Sequence, residues 1–128
     1  MTPGIPIAPS PANRGEQVLA KACLRAGHEL GLAGAQLARV IGISESSVSR
    51  LASGARTIDP GSKQGELTLL LVRVYRSLDA LVGSDRAQRL AWMASFNRAL
   101  NGTPRDLVQT ASGLVAVLAY LDAMRAPV

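Results

Sequence analysis

Glu45, Ser46, Ser49, Arg50 and Ser53 fall within one nine-residue stretch and form a polar set with a single long cationic donor. A guanidinium presents parallel N–H groups that suit the O6 and N7 acceptors of guanine. Serine hydroxyls pair with base or phosphate oxygens, and a glutamate accepts from the amino group of cytosine. This is chemistry for reading base edges. It requires the set on the outer face of a short helix that can enter a major groove.

The surrounding residues build such a helix. Helical segments are expected over 33–41 and 45–53, separated by Gly42-Ile43-Ser44 and closed by Gly54. Ser44 is a good N-cap, and Glu45 in the first turn suits the positive end of the helix. Gly42 permits the left-handed backbone that turns the chain through about 90–120°. Leu37, Ile41, Ile43, Val48 and Leu51 are placed to lock the two helices, and Ala38 is small where they cross. Pro60, Gly61 and Gly65 mark 55–65 as a linker or turn.

Other chemistries are poorly supplied. One His and one Cys cannot build a metal site within a chain, because a structural zinc takes about four such ligands. A helix is expected over 15–29, with Val18, Leu19, Ala22, Cys23 and Ala26 on its inner face. His28 lies about 140° around that helix from Cys23, so the two do not face one another as base and nucleophile. There is no Ser-His-Asp set. Gly31, Gly34 and Gly42 make no nucleotide fingerprint. The expectation is therefore a binding protein without cofactor, metal or catalytic residues. The net charge of +5 is compatible with a polyanion partner. It divides as +2 over 1–62 and +3 over 63–128, so it is not concentrated on the candidate reading segment.

A 48% hydrophobic content excludes a disordered chain, and no apolar run approaches the roughly 18 residues of a membrane helix. Met1 to Asn13 lacks the basic and apolar regions of a secretory signal, and the lone Cys23 forms no internal disulfide, so the cytoplasm is expected. Pro3, Pro6, Pro9 and Pro11 make 1–13 a tail in which helix is not expected.

The second half repeats the helical period. Leu67, Leu70, Leu71, Val74, Leu78, Leu81 and Val82 predict a helix over 64–82, with Arg73, Arg76, Ser77 and Asp79 on its other face. Its leucine stripe is wide enough to suggest a dimer seam. Ser84-Asp85 caps a helix over 85–96 that places Trp92 and Phe96 together in the core. Asn101-Gly102 is a turn. Thr103-Pro104 with Asp106 has capping-box-like spacing, and a last helix over 111–125 turns Leu114, Val117, Leu118 and Leu121 inward. Met124, Arg125 and Val128 have little chain left to pack against, so they are placed to probe a partner's cleft. No strand pattern is found, and the fold class is all-α.

The stretch Leu37–Leu51 resembles the Xre and Cro/repressor helix-turn-helix family. Trp92, Phe96, Asn97, Leu100, Gly102, Pro104, Leu107 and Gly113, followed by Leu118-Ala119-Tyr120-Leu121, resemble the toxin-binding domain of Xre/MbcA/ParS-type antitoxins. Together the resemblance covers 14–128. With the Pro-rich tail over 1–13 and the leucine-striped linking or dimerising helix over 63–82, it divides the chain into a DNA-binding domain over 14–62 and a toxin-binding domain over 83–128. It implies that Ser46, Ser47 and Arg50 approach bases or phosphates and that Arg56 meets backbone phosphate; Ser44, Glu45 and Ser49 at the start and on the outer face of the same helix complete the candidate DNA contacts. It implies as partners operator DNA and a NAD-degrading RES-domain toxin, for which Tyr120, Met124, Arg125 and Val128 are the candidate contacts; a second copy of the chain is expected from the leucine stripe and from the few phosphate contacts of a monomer. Gly34 and the terminal Ala126-Pro127-Val128 depart from the family pattern. The alternative is a stand-alone, phage-like regulator whose C-terminal half only dimerises.

Overall fold

A computed structural model describes residues 11–126 of the chain. Within it the backbone forms α1 (Pro11–Glu29), α2 (Gly34–Ile41), α3 (Glu45–Ser53), α4 (Lys63–Leu81), α5 (Arg86–Ala94), α6 (Pro104–Leu107) and α7 (Ala111–Arg125). Among the described residues there is no strand, only an isolated bridge between Asn97 and Gly102. The all-α expectation holds.

The tail expected over 1–13 lies outside the described residues up to position 10. From Pro11 the chain is already helical, four residues earlier than the expected start. Proline is tolerated in a first turn, where its fixed φ suits the helix and its missing N–H has no partner to lose. The inner face of α1 is also narrower than expected. Leu19, Cys23 and Ala26 are buried, but Val18 is 66% exposed.

Helix α4 is the common wall of the fold. It packs against α1 and α2 on one side and against α7 on the other. Leu71, Val74 and Leu78 are buried between these neighbours, as are Thr68 and Ser77. Leu67, Leu70 and Val82 of the same stripe are half-buried and Leu81 is 40% exposed, so most of the stripe is used inside the chain. Ser77 does not face solvent as expected. Its hydroxyl donates to Asp122 Oδ1 at 3.1 Å and accepts from Arg125 Nη1 at 2.9 Å.

The remaining differences lie between α5 and α7. Helix α5 ends at Ala94, and Ser95 is already extended. Thr103 sits at the N-cap of the single-turn α6 without a side-chain hydrogen bond, so the capping box does not form. Helix α7 has the expected bounds and buries the expected four residues, Leu114, Val117, Leu118 and Leu121. Its first turn lies so close to α6 that a Cβ on Gly113 would overlap the carbonyl group of Leu107.

Candidate functional site

The α2–α3 pair has the expected mechanics. Gly42 is left-handed at φ 75°, and its N–H reaches back to the carbonyl of Ala38. Leu37, Ala38, Ile41, Val48 and Leu51 are buried, and Ile43 is half-buried. Ser44 Oγ accepts from Ser47 N at 3.1 Å, which caps α3 and sets its first turn.

Glu45, Ser46, Ser49 and Arg50 are all exposed on α3, and Ser44 is its cap. Ser47 does not join them. It is 4% exposed, and its hydroxyl accepts from Ser44 Oγ at 2.8 Å and from Arg56 Nη1 at 2.5 Å. The reason is helical geometry: four residues on lies Leu51, a core contact, so Ser47 points inward with it. Its consequence is useful. Ser47 holds the half-buried Arg56 guanidinium beside the first turn of α3.

Arg56 lines a cleft of about 340 Å³ between α1 and the end of α3, together with Lys21, Ser53 and Gly54. The loop that carries it is tied to α1. Ile58 N donates to the carbonyl of Glu16 at 3.4 Å, and Thr57 Oγ1 donates to Glu16 Oε2 at 3.2 Å.

The second candidate site lies on the other half. Trp92 and Tyr120 stack, with centroids 6.3 Å apart and rings inclined by 18°, and so clamp α5 to α7. Phe96 does not share that core. It is 63% exposed, because the helix that would have turned it inward has already ended. Asn97 Oδ1 accepts from Leu100 N at 3.1 Å, and the Asn97–Gly102 bridge closes a tight loop over Leu107, with Pro104 buried. Leu100 and Leu107 are half-buried beneath it. Met124 is 58% exposed. Arg125 is exposed but held to α4 through Ser77. Val128 lies outside the described residues.

Sequence reasoning missed Arg89. It is 3% exposed and donates to Asp79 Oδ1 at 2.6 Å and to a carboxylate oxygen of Glu29. Its guanidinium also lies 5.4 Å from the centroid of Tyr75. The available signal was its spacing of four from the buried Met93, which puts a charge on the inner face of α5. Cys23 is the opposite case. It is fully buried, and burial raises its thiol from 9.0 to about 11 against a smaller lowering by Thr68, which fits a core residue and not a nucleophile.

A helix-turn-helix whose exposed polar face is carried beside a second helical unit defines a two-site protein with a DNA-binding class of fold at its N-terminal end. Two family models match it: the Antitoxin Xre-like helix-turn-helix domain over residues 14–73, and the Antitoxin Xre/MbcA/ParS C-terminal toxin-binding domain over residues 77–126. The chain belongs to the Xre-type antitoxins. Its two domains imply a toxin partner and DNA binding. No match was found among curated proteins.

Proposed function

We propose that this antitoxin neutralises a RES-domain toxin that degrades NAD, and that it represses its own operon by binding operator DNA as a homodimer. It acts by binding alone, in the cytoplasm. The C-terminal helix and tail cover or enter the toxin's NAD pocket and block substrate access. Tyr120, Met124, Arg125 and Val128 make the toxin contacts. On DNA, Ser44, Glu45, Ser46, Ser49 and Arg50 form the reading face, and Arg56 meets backbone phosphate. The working division is a DNA-binding domain over 14–62, a linking helix over 63–82 and a toxin-binding domain over 83–128.

The observation that carries this reading is the apolar character of α7 on both faces. Leu114, Val117, Leu118 and Leu121 are buried, while Val115 is 53% exposed and Ala116, Ala119 and Met124 are also open. Asp122 and Arg125 turn to α4, so the open side of α7 is left largely apolar; an exposed apolar surface of this kind marks an interaction site, and the matched toxin-binding domain includes this helix. Two half-sites read by a dimer compensate for the few phosphate contacts available to one copy. Most of the α4 stripe is buried within the chain, and Leu81 of that stripe with the neighbouring Leu69 stays exposed for a second copy.

The test is co-expression with the product of the neighbouring reading frame. A stable complex and restored growth are expected. Removing Met124 to Val128 leaves the fold intact and weakens neutralisation; full neutralisation by the truncated chain overturns the pocket-blocking reading. A neighbouring product that neither co-purifies nor harms growth favours the stand-alone regulator instead. Arg50→Ala weakens operator binding by about 1–3 kcal/mol if the guanidinium pairs with a base. Unchanged affinity in a mobility shift removes that role.

A further inference from the structure

The net charge of the N-terminal half understates what one of its faces presents. Arg14, Lys21 and Arg25 lie seven and four residues apart on α1, and all three are exposed. Their spacing puts them on the face opposite the buried Leu19, Cys23 and Ala26, over a length of about 16 Å. Among the described residues none of the three has an ion-pair partner. The two carboxylates of α1 are both drawn elsewhere. Glu16 turns to Thr57, and Glu29 is taken by Arg86 at 2.9 Å and by Arg89. The outward face of α1 is thus basic without any acidic relief.

This face also runs into the reading helix. Lys21 and Arg56 line the same cleft, and the opposite wall is Ser53 and Gly54 at the end of α3. We propose that the Arg14–Lys21–Arg25 face of α1 is a second DNA-contacting surface, which grips backbone phosphates flanking the groove that α3 enters. The inference rests on the DNA-binding reading above and deepens it. The occupant is nucleic-acid backbone rather than an acidic protein, because the basic track is continuous through Arg56 with the polar face of α3. Side chains that touch only phosphate add affinity at every sequence and select none.

The full chain is titrated by fluorescence anisotropy against two labelled duplexes, one taken from immediately upstream of its own reading frame and one scrambled. Each titration is run over a series of salt concentrations. The double variant Lys21→Gln/Arg25→Gln is expected to bind both duplexes more weakly by the same factor, about tenfold or more at physiological salt. The slope of log affinity against log salt should become shallower by about two, near 0.9 for each phosphate no longer neutralised. Lys21→Arg/Arg25→Lys should restore it. Arg76→Gln/Arg98→Gln removes equal charge from exposed positions on the other half and should leave the slope unchanged.

A slope in the first variant equal to that of the wild type overturns the proposal while leaving α3 as the reader. An equal loss in the Arg76/Arg98 variant overturns it in favour of net charge alone. Loss confined to toxin retention assigns the face to an acidic protein surface and also overturns it. A wild-type chain that binds neither duplex overturns the DNA reading itself. Thermal melting of each variant confirms that these exposed substitutions leave the fold in place.

Discussion

Arg89 on α5 donates through Nε to the backbone oxygen of Glu29 on α1 at 2.8 Å, so a residue of the C-terminal half closes the end of the first N-terminal helix. The same guanidinium pairs with the side chains of Glu29 and Asp79. One buried cation therefore ties α1, α4 and α5 together. Replacing Arg89 by Ala leaves the half-buried Asp79 without a cation and Glu29 with only the exposed Arg86. Loss of a buried partner of this kind costs about 3 kcal/mol. A urea unfolding midpoint that stays within error of the wild type would remove Arg89 from the framework.

Gly113→Ala tests the contact between α6 and α7. A methyl group there would overlap the Leu107 carbonyl oxygen and stand 2.9 Å from Thr110 Oγ1. Backbone must move to admit it, which is expected to cost about 3 kcal/mol or more, as severe core overpacking does. The measurement is thermal melting. Ala at the exposed Ser112 next to it should change stability by less than about 0.5 kcal/mol.

Trp92 and Phe96 should separate stability from binding. Trp92→Ala removes the ring stacked on Tyr120 and is expected to cost about 2–4 kcal/mol. Phe96→Ala removes a mostly exposed ring and should leave unfolding within about 0.5 kcal/mol of the wild type. If Phe96→Ala melted as early as Trp92→Ala, the end of α5 at Ala94 would be wrong.

Cys23 makes stability depend on alkaline pH. Its folded thiol holds its proton up to about 11, against 9.0 for the ordinary group. Between those values the unfolded chain loses the proton first, so stability falls as pH rises through that window. The contribution is fully present below 9.0 and amounts to at most about 2–3 kcal/mol. Unfolding curves from pH 8 to 11 for the wild type and Cys23→Ala should converge as pH rises, on the order of that amount. Parallel curves would show that the thiol does not carry the effect.

Much of this protein is written in short-range pattern. The bounds of α3 and α7, the turn at Gly42 and the inward residues of α7 follow from helical period, capping and a left-handed glycine, all of which act within a few residues. The ordered Trp, Asn, Leu, Gly and Thr-Pro of the second half are legible only as a resemblance, and they point to the family that the two models show. Where the local pattern fails, a distant neighbour intervenes. Nothing beside Ser77 in the chain contradicts a solvent position; Asp122 and Arg125 of α7 bury it. A core position for Phe96 follows only from a spacing that assumes an unbroken helix, and α5 stops two residues short of it.

Charge shows the same limit most clearly. The sequence by itself determines how many cations each half carries, and it determines the helices on which they ride. Only the tertiary structure decides which of them remain uncompensated. Glu16 and Glu29 offset the basic residues of α1 in any count along the chain. In the folded protein they are spent on Thr57, Arg86 and Arg89. Electrostatic partners are chosen by distance in space, and over tens of residues the chain alone does not fix that distance.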